Sequence, residues 1–151
     1  TRRLAYIRDE KTAGTNGGTF TSGAYQTRDL NTLVDSSGIV TTLSGNAFTL
    51  PAGKYRIKAR APAFRVDAHQ AKLRNTTDST DVILGSVSYS GSAASYGQTD
   101  SVIEGEFSIS ASKTFSILHQ CATTFASGGF GSGPSFGNNV VFTMVEIEKL
   151  S

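Results

Sequence analysis

From position 54 to 61 the chain alternates strictly, with Lys54, Arg56, Lys58 and Arg60 interleaved with Tyr55, Ile57, Ala59 and Ala61. A period of two places the four cations on one face of an extended strand and the less polar side chains on the other; a helix would scatter the charges around its circumference. Leu50-Pro51-Ala52-Gly53 in front of this strand is a turn, because proline fixes φ and glycine reaches conformations that other residues avoid. Pro62 interrupts the alternation and predicts a strand end, an edge or a bulge. The same rhythm returns further along. His69, Ala71 and Leu73 oppose Gln70, Lys72 and Arg74; Ile103, Gly105, Phe107 and Ile109 oppose Val102, Glu104, Glu106 and Ser108; Val141, Val145 and Ile147 oppose Glu146 and Glu148.

Shorter apolar runs at 4–8, 39–43, 48–50, 81–89 and 114–123 read as further strands, and 24–33 as an extended, partly exposed segment. Between them lie turn-forming stretches: a glycine-bearing loop at 9–23, a Ser/Gly-rich connection at 90–100, and 125–139, which holds five glycines and three phenylalanines. Roughly nine or ten short strands with a turn every 8–12 residues or so, and no helical periodicity, predict an all-β, antiparallel β-sandwich of jelly-roll type. The simplest organisation is a single domain over 1–151, with 1–23 a strand and flexible loop suited to joining a preceding stalk.

Composition agrees with this reading. The 151 residues are 38% hydrophobic and 17% charged, with 16 glycines, three prolines and no tryptophan, which suits β structure with polar loops. A net charge of +2, from 14 cations well interspersed with 12 anions, is too small for the broad basic field of a nucleic-acid binder. Neither an apolar run of about 18 residues nor a signal-peptide pattern is present, so membrane insertion is not expected. The chain starts at Thr1 and not Met, which suggests a module cut from a longer polypeptide. A single cysteine, Cys121, excludes an intrachain disulfide. Cys121 lies two residues after His119, on the same strand face. A buried thiol beside a hydrogen-bonded histidine fits better than a nucleophilic pair, since no orienting group or oxyanion site is evident nearby.

Three stretches together carry a resemblance. The strand entry Phe48-Thr49-Leu50-Pro51-Ala52-Gly53-Lys54-Tyr55-Arg56-Ile57, the following His69-Gln70-Ala71-Lys72-Leu73, and the Gly- and Phe-rich approach to the last strand, 130–150, are similar in order and spacing to C1q/TNF-like jelly-roll heads. The versions found in tail-fibre and other appendage proteins of bacteriophages are the best match, over about 39–150. The chain lacks a collagen-like stalk and is rich in Ser, Gly and Thr, which favours the phage setting over an animal secreted one. The resemblance implies a homotrimer at the end of a virion fibre, with far-end loops contacting a host cell-surface glycan or protein, and other virion proteins as neighbours. It implies no cofactor. For the subunit interface the candidates are Tyr55, Phe142 and the cationic row Lys54, Arg56, Lys58 and Arg60.

That row has three readings: a solvated face that discourages edge pairing, contacts with Glu104, Glu106, Glu146 or Glu148 of an adjacent strand or neighbouring subunit, and an anion or acidic-glycan site joined by Arg65, Lys72 and Arg74. For receptor contact the candidates are Tyr89, Tyr96, Phe130, Phe136, Arg65, Lys72 and Arg74. Alternatively Phe130 and Phe136 tuck into the end of the sandwich or a trimer axis. Glu104/Glu106 and Glu146/Glu148 pair along their strands, but glycosidase chemistry would need a cleft between two carboxylates. Asn75, Asp78 and Asp81 offer hard oxygens for calcium without a recognisable loop pattern. The reading is therefore a non-enzymatic trimeric receptor-binding head; a capsid-decoration or tail-attachment module and, less favoured, a carbohydrate-active domain are the rivals.

Overall fold

The computed structural model describes residues 1–151 and contains only strands, turns and loops. The strands are β1 (Arg3–Lys11), β2 (Gln26–Thr27), β3 (Thr32–Val34), β4 (Thr42–Ser44), β5 (Ala47–Leu50), β6 (Gly53–Phe64), β7 (Ala68–Asn75), β8 (Thr80–Tyr89), β9 (Gln98–Ile109), β10 (Lys113–Cys121) and β11 (Val140–Lys149). They form two wholly antiparallel sheets, ordered β3-β1-β11-β6-β9 and β4-β5-β10-β7-β8, with β2 pairing β10 beyond the end of β5. This is the expected sandwich of jelly-roll type.

Alternation decides the layers. The apolar residues of β6, Tyr55 to Ala61, face inward with Ala71 and Leu73 of β7, Ile103 of β9, Phe115 and Ile117 of β10, and Val145 and Ile147 of β11, in one core of 18 buried residues. At its centre Phe115 stacks on Phe48 at 5.7 Å and meets Phe107 at 5.3 Å, and Phe107 stacks on Tyr55 at 5.6 Å. A smaller cluster of Phe20, Ala63, Val66 and Cys121, flanked by Phe125 and Phe130, closes one end.

Several elements differ from the alternation-based reading. β6 runs straight through Pro62 to Phe64, pairing with β9 along its whole length. β11, its partner on the other side, stops pairing at Arg60, so of the three readings of Pro62 the edge is the one seen: its missing N–H faces a gap in the ladder, and the Pro62 carbonyl there accepts from Arg28 at 2.9 Å. The stretch 24–33 contributes only β2 and β3, because Arg28 between them turns into the protein. Ile39 and Val40 are buried outside any strand, their N–H groups donating to the Asp35 carboxylate. Val141 is exposed instead of sharing the Val145 face: the β1–β11 register shifts between Arg8 and Glu10 and reverses the parity beyond it.

Both termini lie at one end of the sandwich, where Arg3 pairs with Lys149 and the Lys54 N–H donates to the Ser151 carbonyl at 3.2 Å. The connections β1–β2, β6–β7, β8–β9 and β10–β11 gather at the opposite, distal end. Backbone bonds tie them together: Gly17 N–H to Gly131 O at 2.8 Å, Phe64 N–H to Gly129 O at 2.9 Å and Phe130 N–H to Gly18 O at 3.1 Å. The glycine-rich stretch 125–139 is thus packed, not a free hinge. Gly131 has φ +141° and lies against the Phe142 ring, so a Cβ there would overlap the ring. Gly131→Ala combines overpacking with a strained φ and should destabilise by about 2–3 kcal/mol, read as a lower urea midpoint at unchanged m-value.

Candidate functional site

The distal end is built on two left-handed residues in the β6–β7 connection, Arg65 at φ 59° and Asp67 at φ 60°. The turn aims the Arg65 guanidinium between the rings of Tyr96, 4.0 Å away, and Phe125, 4.7 Å away, while Phe64 meets both rings edge-on. The Asp67 carboxylate accepts from the hydroxyls of Ser92 at 2.6 Å and Thr123 at 2.5 Å. Those bonds hold it below the usual carboxylate range and lock the β8–β9 and β10–β11 connections to β6–β7. Side chains standing out from this base are Phe136, 80% exposed, Tyr89, 70%, and Tyr96, 49%.

Of the receptor-contact candidates, the fold gathers Tyr89, Tyr96, Phe136 and Arg65 at the distal end. Phe130 turns inward, stacking on Phe20 at 4.3 Å beneath Arg28. The two alternatives of the sequence reading divide here: Phe130 tucks in and Phe136 stands exposed. Lys72 and Arg74 sit elsewhere, on the outer face of β7, both paired to Asp81, at 3.1 and 2.8 Å. Lys113 pairs with Asp78 at 2.9 Å, and Asn75 donates to the same carboxylate. Asn75, Asp78 and Asp81 therefore make a salt-bridged turn, with cations already on both carboxylates.

The cationic row lies on the outer face of the five-stranded sheet, and the adjacent-strand reading describes half of it. Arg56 bonds Glu148 of β11 at 2.5 Å, joined by Arg2 at 3.0 Å, and Lys54 approaches Glu106 of β9 at 3.5 Å. Lys58 and Arg60 have no carboxylate within 4.0 Å; with Tyr6, Arg8, Met144 and Glu146 they line a groove of about 370 Å³. Two interface candidates are corrected: Tyr55 is 0% exposed, its hydroxyl donating to Pro51 O at 2.6 Å, and Phe142 is buried against Gly131. Neither has surface to give to a neighbour. The bonds from Arg2, then Arg56, bring the Glu148 carboxyl down to about 2 from 4.5. Its lowered value means that the stabilisation is complete above pH 4.5 and is lost as the pH falls toward 2. Both arginines are largely exposed, so Glu148→Gln should lower the melting temperature by no more than a few degrees at low salt. The difference should close in about 1 M NaCl, where the screening length is ~3 Å.

Beneath the distal loops lies a buried polar chain that sequence reasoning missed. Arg28 is 1% exposed and has no carboxylate partner. Its Nε donates to Thr143 Oγ1 at 2.7 Å, Nη1 to Pro62 O at 2.9 Å, and Nη2 to Phe130 O at 2.9 Å; Nη1 also faces His119 Nδ1 at 3.5 Å. His119 Nε2 lies 2.9 Å from His69 Nδ1, and His69 Nε2 lies 2.8 Å from Thr99 Oγ1. Burial lowers the Arg28 guanidinium to about 9 and His69 to about 4, with the Arg28 charge also acting on His69; both effects hold His119 well below the ordinary imidazole range. The visible signal was parity: His69 and His119 both occupy core-facing positions, and β7 and β10 are neighbours. Nothing in the sequence marks Arg28 as buried. Burial also raises the Cys121 thiol to about 11, and Sγ points to the Thr123 carbonyl at 3.4 Å, so this is the buried thiol beside a hydrogen-bonded histidine.

No family model and no curated sequence matches the chain. Solved structures do. Murine APRIL at pH 8.0 superposes with a TM-score of 0.59 at 8% identity, covering 99% of this chain and 100% of that one. Eiger TNF from S. frugiperda gives 0.63 at 10%, covering 99% and 93%, and the globular domain of zebrafish complement 1qA gives 0.55 at 11%, covering 100% and 98%. At such identities the likeness is one of fold, and the fold is the TNF/C1q-like jelly roll of two antiparallel sheets.

Proposed function

We propose that this chain is a non-enzymatic, homotrimeric head module of a bacteriophage appendage that presents its distal loops to a glycan or protein of the host surface. The observation that carries the reading is the placement of Phe136, Tyr89 and Tyr96, exposed on a braced base at the end opposite both termini. A stalk joined at Thr1 would leave these loops outermost. Large exposed aromatics on an ordered base give contact area at low entropic cost, and three copies raise a weak single-site affinity by avidity.

Two unlike apolar patches support the trimer. Leu84 and Val87 stand exposed on β8, an edge strand of one sheet, and Tyr6, Val34 and Met144 stand exposed on the outer face of the other. Unlike patches on one subunit suit head-to-tail contacts, which form a ring where the rotation between subunits closes. Glu104 and Glu106 lie on that same open face, opposite Lys58 and Arg56 across the β6–β9 ladder, a setting that supports structural use of these carboxylates.

Light scattering over a range of concentrations should give three times the 15.9 kDa chain mass, and Met144→Glu should shift it toward monomer. The trimer should bind cells in a bacterial panel or ligands on a glycan array, and joint alanine substitution of Tyr89, Tyr96 and Phe136 should weaken that binding at least about tenfold without changing the mass. Capture by purified virion proteins with no cell or glycan binding would instead favour the decoration module. A monomer at every concentration would overturn the trimer.

A further inference from the structure

The hydrogen-bond chain beneath the distal loops has only one internally consistent polarity. Arg28 can only donate, so His119 Nδ1 must be the acceptor at that contact. His119 Nε2 then carries the proton and donates to His69 Nδ1. His69 Nε2 carries the next proton and donates to Thr99 Oγ1, whose own proton goes to the Tyr89 carbonyl at 3.2 Å. Both rings are thereby fixed as neutral, Nε2-protonated imidazoles. The chain begins at the arginine that holds the Phe130 carbonyl and ends at the strand residue entering the β8–β9 connection.

An extra proton has no place in this arrangement. On His69 Nδ1 it meets the N–H of His119. If His119 changes tautomer to accept it, His119 Nδ1–H then meets the Arg28 guanidinium. On His119 Nδ1 it does so at once. Every placement sets a donor against a donor, two of them charged in the last case, in a site shielded from water. No carboxylate bonds either ring. Asp9 and Asp29, whose charges reach Arg28, are engaged by Lys11 at 2.7 and 2.9 Å; Asp100 of β9 acts on Arg28 through space only. Cys121 on β10 is neutral, and β6 and β11 present only Pro62 O and Thr143 Oγ1.

We infer that Arg28, His119, His69 and Thr99 form an acid-operated latch, in which uptake of one proton swings Arg28 off the Phe130 carbonyl and frees the β10–β11 and β8–β9 connections while both sheets stay folded. The local character follows from where the latch sits. It packs with the small distal cluster of Phe20 and Phe130, apart from the core of 18 residues. This inference concerns the chain's own conformational equilibrium and stands whether or not the loops meet a receptor.

Amide hydrogen exchange of the full chain between about pH 7.5 and 5, corrected for intrinsic rates, tests the latch. Protection of the Phe130 and Gly17 amides should fall about tenfold per pH unit below about 6.5, while the Ile57 and Ile117 amides keep theirs. In His69→Gln/His119→Gln that dependence should vanish. Imidazole ¹⁵N shifts of the wild-type chain, which has only these two histidines, supply a readout that needs no variant. Both rings should be Nε2-protonated at neutral pH, and uptake of one proton by the pair should track the loss of loop protection. Loop protection independent of pH, rings titrating without it, core amides released in step with the loop, or the same pH dependence in the double variant would each overturn the latch.

Discussion

Arg28→Met should cost the protein about 3 kcal/mol or more, a fall of over ~1 M in the urea midpoint. The substitution keeps the length of the side chain and removes a buried charge, which by itself is favourable. It also leaves the carbonyls of Pro62 and Phe130, the Thr143 hydroxyl and His119 Nδ1 without a donor in a space that water does not reach. Buried acceptors of this kind cost about 1–3 kcal/mol each, so three or four of them outweigh the recovered desolvation. Arg28→Lys should do little better, because one ammonium cannot span acceptors that a planar fork reaches on separate nitrogens. A loss below about 1 kcal/mol in either variant would mean that the site rehydrates and that Arg28 is dispensable for stability.

Phe115→Ala should be comparably severe, about 3–5 kcal/mol. The ring is fully buried between Phe48 and Phe107 at the centre of the sandwich. Those two neighbours belong to β5 and β9, one strand in each sheet, so neither can move into the space without breaking a ladder. Against a total stability of about 5–15 kcal/mol for a domain of ordinary size, the variant should melt well below the wild type. Phe136→Ala, a change of the same two residue types on an exposed loop, should stay within about 0.5 kcal/mol. Equal effects at the two sites would contradict the assignment of one ring to the core and the other to the surface.

The contrast between these phenylalanines also marks what alternation can reveal. The faces of β6, β7 and β9 were legible because a strand has only two sides and the residues between 54 and 61 sort cleanly by polarity. β11 was legible up to Val141, where an extra residue in β11, set against β1, reversed the parity; such a bulge depends on the pairing of two segments 130 residues or so apart and leaves no local trace. Pro62 was read as a strand end, an edge or a bulge; the strand continues and the edge is what is found, because a neighbouring strand ends just where the missing N–H would have been needed. The 125–139 stretch was read from its glycines only as a turn-forming loop. In the folded chain Gly128, Gly129 and Gly131 are buried, and the lack of side chains is what lets Phe20 and Phe142 come so close. Composition records that glycine is there, not what fills the space beside it. At the distal end, Tyr89, Tyr96, Phe136 and Arg65 were singled out from loop position, and the fold brings them to one place. Arg28 was not, because a lone arginine in a polar segment carries no sign of the four acceptors that will surround it.

The order of the five-stranded sheet constrains how the molecule can be made. β11 inserts between β1 and β6, yet it leaves the ribosome after both. Until it emerges, β1 and β6 each present a bare row of amides and carbonyls, and the nascent chain holds its two halves of that sheet apart. Closure of the sandwich is therefore a late, long-range event, and the interval before it is when the chain is most exposed to pairing with the wrong partner.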